Sequence, residues 1–194
     1  MATVTSPIFR LDEAAVAYAL SAERILGKDR SFLSENSAVI PIFVSHLFQS
    51  LEISIKHMGI EAGLFAEHEA RDRSKRSGHG IAEISSLAAQ RLRSTTIAPL
   101  IMALTFNTVA DAQNVIHKMI CGAEFEKTRN AYANRQLGYA QVADGDFALL
   151  SDLQAWVEVI KATALNLGNC VAVVKQWKQS QGTCNSFAIW IKGQ

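Results

Sequence analysis

The stretch AVIPIFVSHLFQSLEISIKHM, residues 38–58, decides the fold class. Its apolar positions Ile40, Phe43, Val44, Leu47, Phe48, Leu51, Ile55 and Met58 recur at the i, i+3, i+4, i+7 spacing of a buried helix face. A helix therefore starts near Ala38, with Pro41 in the first turn, where its missing N–H costs nothing. Gly59 and Gly63 weaken its far end.

Outward from this helix the same period repeats. Upstream, Asp12 is the expected cap of a helix running to about Gly27, with Leu11, Ala15, Tyr18, Ala19, Ala22, Ile25 and Leu26 as its apolar stripe. Residues 1–9 read as a loose leader, and residues 27–31 and 34–37 as loops. Downstream, residues 61–79 read as a solvated, charged connection, whose Arg71, Arg73, Lys75 and Arg76 offer a basic patch as the alternative. Ile81–Leu92, Ile97–Phe106 (Thr96 as cap, Pro99 in the first turn) and Asp111 to Met119 follow as helices. One long helix is expected over Phe147–Trp177, then a short apolar tail, Phe187–Lys192, that forms a strand or packs on the bundle. Strand signals are otherwise nearly absent. The expectation is an all-α antiparallel helical bundle with a short apolar C-terminal tail. Its organisation is an N-terminal helix and linker (1–37), the bundle (38–178) and the tail (179–194).

The chain has 194 residues, 49% of them hydrophobic, with only three prolines, which is the composition of a folded core. Nineteen basic against 18 acidic residues leave a net charge of +1, so any surface for nucleic acid has to be local. Cys121, Cys170 and Cys184 are odd in number and scattered. That pattern fits a reducing cytoplasm and buried, apolar thiols. No targeting segment is read at the start and no apolar run reaches the length of a membrane span.

His46, His57, His68 and His79 recur every eleven residues. Eleven helical residues advance about 16 Å, whereas ligands sit about 2 Å from a shared metal, so the spacing is coincidence. There is no glycine-rich phosphate loop, Cys-x-x-Cys or His-Glu-x-x-His. No metal and no cofactor are expected. Glu52 either forms a surface pair with Lys56, four residues on, or points inward to pair with Arg129. Specific polar chemistry concentrates in residues 126–135, EKTRNAYANR, expected on one helix. Arginine supplies a permanent planar fork suited to phosphate oxygens, and asparagines orient a substrate or bridge to backbone. The plain alternative is a polar face bonded to a neighbouring loop.

Arg129-Asn130, followed by Tyr132-Ala133 and a polar residue at 134, resembles the signature of the HEPN superfamily: an arginine, usually a polar residue, four to six residues, then a histidine. Residues 48–57, with Gly78-His79-Gly80-Ile81 beyond a variable loop, resemble the first half of that domain. The resemblance spans roughly residues 38–178. It implies an all-α bundle that pairs as a homodimer. Active members are metal-independent endoribonucleases in which arginine and histidine from two subunits line a shared cleft. Carried over, Arg129 holds the scissile phosphate and Asn130 supports it. Glu52 corresponds to an acidic residue that orients the arginine. Arg135, Tyr132 and Glu52 are the expected substrate-binding residues.

This sequence departs from the motif at one point. The histidine position falls on Asn134, and no histidine follows His117. Asparagine exchanges no proton near neutral pH, and losing a general acid or base typically costs about 10² to 10⁴ in rate. The expectation is a homodimeric RNA- or nucleotide-binding relative of ribonucleases, impaired in turnover. The alternative is a non-enzymatic interaction module, a partner of a nucleotidyltransferase or a component of a defence or toxin–antitoxin system. A third class is a small-molecule regulator with a pocket lined by Phe125 and Trp156.

Overall fold

A computed structural model describes residues 10–27, 31–71, 80–108, 111–137, 153–180 and 186–194. Among these every regular element is helical. They are α1 (Leu11–Leu26), α2 (Ser31–Glu35), α3 (Ile40–Glu61), α4 (Glu67–Arg71), α5 (Ile81–Arg91), α6 (Ala98–Leu104) and α7 (Ala112–Cys121). After them come α8 (Glu126–Ala133), α9 (Leu153–Leu165), α10 (Leu167–Gln179) and α11 (Phe187–Ile191). Single 3₁₀ turns, Ser37–Val39 and Ala123–Phe125, lead into α3 and α8. The all-α class expected from the periodicity is the class observed.

Helix α3 is the axis of the molecule. Phe43, Leu47, Phe48, Leu51, Ile55 and Met58 are at most 1% exposed, and α1, α5, α9 and α10 all pack on it. Residues 37–61 are apolar and long enough to cross a membrane, yet most of that surface is buried within the fold. Helix α1 packs along α3, with Ala15, Ala19 and Ala22 fully buried. Small side chains let two helix axes approach, and Ser50 Oγ, itself buried, donates to the Ala15 carbonyl at 2.8 Å. The N-terminal helix and the tail belong to the same core as the rest, through Ala15, Ala19 and Leu26 at one end and Phe187 and Ile191 at the other.

Several expected boundaries move, each for a local reason. Asp12 sits inside the first turn of α1, where it accepts from Arg10 at 3.0 Å; Arg10 holds the cap position without a side-chain cap bond. Thr96 does not cap α6, which starts from Ile97, with Pro99 in the first turn as expected. The single long helix over 147–177 is two, α9 and α10, meeting at 57°. Asn166 makes the break: its Nδ2 donates to the Ala162 carbonyl at 2.8 Å, and Gly168, a poor helix former, follows. The segment Phe187–Ile191 is a helix and not a strand, with Phe187 edge-on to Trp177 at 5.3 Å.

The connection after α3 is built, at least to residue 71. Gly63 N donates to the Ile60 carbonyl and Leu64 N to the Gly59 carbonyl, a Schellman ending with Gly63 at φ 66°. Lys178 Nζ, from α10, donates to the carbonyls of Ala62 at 3.1 Å and Gly63 at 2.6 Å. Glu69 accepts from Ala66 N at 2.7 Å and from Arg91 at 3.0 Å. The basic residues Arg73, Lys75 and Arg76 and residues 1–9 lie outside the described residues, as does His79. Of the other spaced histidines, His46 packs edge-on to Tyr18 from α3, His57 also lies on α3, and His68 lies on α4.

Phe65 folds back onto Gly59, where a Cβ would fall 2.0 Å from the ring. Gly59→Ala is therefore expected to destabilise the protein by about 1–3 kcal/mol through overpacking. In urea denaturation the loss should shrink in the Phe65→Leu background; equal losses in both backgrounds would refute the contact.

Candidate functional site

The residues of the 126–135 stretch divide between core and surface by helical position. Thr128, Ala131 and Tyr132 (i, i+3, i+4) are buried, and Lys127, Asn130 and Asn134 form an exposed strip on the other side. Arg129 is half-buried at the border. The helix ends at Ala133, so Asn134 and Arg135 occupy the closing turn and not the helix expected for them. Arg135 N donates to the Tyr132 carbonyl and Gln136 N to the Ala131 carbonyl, a second Schellman ending. Here the left-handed position, φ 61°, holds Arg135 where glycine is usual. For a side-chain-bearing residue that conformation costs about 1–2 kcal/mol.

Arg129 and Glu52 do not pair. Nη1 of Arg129 donates to the Gly122 carbonyl at 2.9 Å, across the joint between α7 and α8. That bond takes one of the five guanidinium donors and fixes the plane of the fork. Gly122 accommodates the joint because a Cβ there would meet the Lys118 carbonyl at 2.7 Å.

Glu52 points inward, as one expectation had it, but to different partners. It is 3% exposed, accepts from the Tyr132 hydroxyl at 2.6 Å and is paired with Lys56. The pair with Lys56 is thus made, though under the surface. A buried carboxylate needs such partners because desolvation of an unpaired charge is costly. The Tyr132 ring lies 5.5 Å from that of Phe48, which is followed by Phe125 at 6.3 Å and then Trp156, 4.8 Å from Phe125. Phe125 and Trp156, expected to line a pocket, are buried and pack ring against ring. Burial first, then the Glu52 charge and hydrogen bond, with Tyr18 adding to them, push the Tyr132 hydroxyl well above its usual range. Tyr132 and Glu52, expected to contact substrate, are instead the buried support beneath α8. Their hydrogen bond spans 80 residues of sequence, and no local pattern announces it.

Arg129, Asn130, Asn134 and Arg135 remain accessible together. Between Lys118 and Arg135 the chain carries Lys118, Lys127, Arg129 and Arg135 against Glu124 and Glu126, a local excess of positive charge on a nearly neutral protein. Such a set can hold and orient a phosphate. The amides of Asn130 and Asn134 neither give nor take a proton near neutral pH. A groove of about 680 Å³ opens elsewhere, between α4 and α5, and is lined by Lys56, His68, Glu69 and Glu83 among others; none of the four lines it. The thiols also divide. Cys170 is buried, with its pKa pushed up to about 12 by burial, whereas Cys121 is exposed, contrary to expectation; Cys184 lies outside the described residues. The chain matches no family model, no curated protein and no solved structure.

The Tyr132–Glu52 bond predicts a pH dependence. With its folded pKa raised above the unfolded value near 10, Tyr132 keeps its proton longer in the native state. Stability is then complete below pH 10 and falls as the pH rises beyond it. Tyr132→Phe should cost about 1–3 kcal/mol at neutral pH by removing a donor from a buried carboxylate. It should also flatten the alkaline decline in thermal unfolding; an unchanged slope would refute the assignment.

Proposed function

We propose that the chain is an HEPN-like RNA- or nucleotide-binding protein of the cytoplasm. It is related to metal-independent endoribonucleases, pairs as a homodimer through α7 and α8, and is impaired in turnover. The observation that carries this reading is Arg129, half-buried and held by the Gly122 carbonyl, with Asn130, Asn134 and Arg135 exposed around it. An arginine fixed in this way meets a phosphate without first losing side-chain freedom.

Cleavage of RNA by its own 2′-hydroxyl needs a base to take that proton and an acid to protonate the leaving oxygen. Asn134 supplies neither, and the Tyr132 hydroxyl is buried and bonded to Glu52. Binding without turnover follows. The same observation favours the second reading, a non-enzymatic interaction module such as a nucleotidyltransferase partner or a component of a defence or toxin–antitoxin system.

Two measurements separate these readings. If RNA is the ligand, log affinity falls linearly with log salt, by about 0.7 per phosphate contact on single strands. Arg129→Ala and Arg135→Gly should each reduce that slope by about one contact. Arg135→Gly is the cleaner variant, because glycine suits φ 61° and the fold is retained. A salt-independent or absent interaction with RNA would leave the interaction module. In a cleavage assay, Asn134→His is expected to gain activity that Arg129→Ala abolishes; no gain would refute the inherited mechanism.

A further inference from the structure

Helices α6, α10 and α11 meet around a groove of about 230 Å³ that shares no lining residue with the groove between α4 and α5. Its floor is a stripe of α10 running from Asn169 over Ala172 to Gln176, residues that the helical period puts on one face. Ala172, with only a methyl group, keeps that floor low. Phe106 and Asn107 form the wall at the end of α6, and Trp190 and Gln194 the wall at α11. Phe106 and Trp190 are half-buried, each packed in part on the core, and the Trp190 ring lies 5.9 Å from that of Phe187. Asn107 stands at φ 61° in the turn after α6, which the Thr108 hydroxyl closes by donating to the Thr105 carbonyl at 2.7 Å.

The chemistry of this lining is one-sided. Among the described residues it holds no ionisable side chain, and Asn107, Asn169, Gln176 and Gln194 are all carboxamides. A carboxamide presents a donor and an acceptor side by side. Among the described residues, those of Asn107, Gln176 and Gln194 have no hydrogen-bond partner, and that of Asn169 has one long contact, from Nδ2 to Asn166 Oδ1 at 3.5 Å. A ligand suited to this lining is neutral, carries donors and acceptors on one edge and has a flat face for an aromatic ring. A phosphate finds no counter-charge here, and a sugar has hydroxyls but no π-face. A nucleobase meets all three conditions: every base has a face that stacks, and Asn or Gln pairs both of its amide atoms with the N6 and N7 edge of adenine.

We propose that the groove between α6, α10 and α11 binds a neutral adenine-type base, stacked on Trp190 and read at its edge by Asn169 and Gln176. The groove shares no residue with the surface around Arg129, so the site does not rest on the proposed function.

Adenosine is the probe, because it carries the base without a phosphate. The full chain should bind it in calorimetry with a Kd of about 0.1–1 mM, the range for a ligand of this size. The affinity should stay constant over an about tenfold range of salt, since no phosphate is engaged. Ribose should not bind. Trp190→Ala and Gln176→Ala should each weaken adenosine binding about tenfold or more, by loss of the stacking surface and of the paired edge, with helicity unchanged by circular dichroism. Trp190→Phe, which keeps a ring, should retain most of the affinity. No binding at millimolar adenosine, equal binding of ribose, or an affinity that neither alanine substitution alters would overturn the proposal. Salt-dependent RNA binding by a chain that leaves adenosine unbound removes this site and keeps the phosphate reading at Arg129; adenosine binding by a chain without affinity for RNA does the reverse.

Discussion

A carboxylate in an apolar core has to be answered by other groups, and the answer given to Glu52 organises this protein. Lys56 comes from the same helix, one turn on, so it adds charge balance but no tertiary constraint. Tyr132 comes from α8, and its hydroxyl fixes where that short helix rests against α3. Eight residues of polar sequence form a weak helix alone, since nucleation is unfavourable and short helices are marginal in water. Held from below by Tyr132 and closed by the Schellman turn at Asn134–Gln136, α8 has one position. The exposed asparagines and the two arginines inherit that position.

Much of the fold was legible because α3 obeys one period over six turns. The apolar residues that the i, i+3, i+4 spacing marks from Phe43 to Met58 are buried, with Ser45, Ser50, Glu52 and Ser54 buried beside them, and α1, α5, α6 and α7 follow the same period. What escaped sequence reading depended on single side chains acting against the period. Asn166 carries an apolar stripe on either side, and periodicity alone reads through it. The break falls at Asn166, whose side-chain amide joins its own N–H on the Ala162 carbonyl. Arg135 likewise follows helical sequence, yet the chain turns left-handed there, at a position where glycine would have signalled the end. The five-residue helices α4 and α11 are too short to carry a period. They exist through contacts made late in the chain, Arg91 to Glu69 in one case and Phe187 to Trp177 in the other.

For the site, the residue types were legible and the partners were not. Arginine, two asparagines and a tyrosine mark polar chemistry in residues 129–134, and the helix turns Tyr132, expected to bind substrate, into the core and Asn130 outward. Which buried group meets which depends on elements far apart in sequence. Lys56 and Tyr132 reach Glu52, while Arg129 reaches a backbone carbonyl seven residues away. An arginine satisfied by backbone keeps its full positive charge for an outside anion, whereas an arginine paired with Glu52 would have had that charge offset.

The joint at Gly122 is where these constraints converge. The residue lies close against the carbonyl of Lys118, so that α7 can end and the next turn begin without a gap, and its own carbonyl receives Arg129. Cys121 stands immediately before it and the 3₁₀ turn carrying Glu124 immediately after. A side chain at 122 would push α7 away from the turn, and the Arg129 bond, which needs the carbonyl in its present direction, would be lost with it. The positions of the Arg129 guanidinium and of the exposed Cys121 thiol thus rest on one backbone joint.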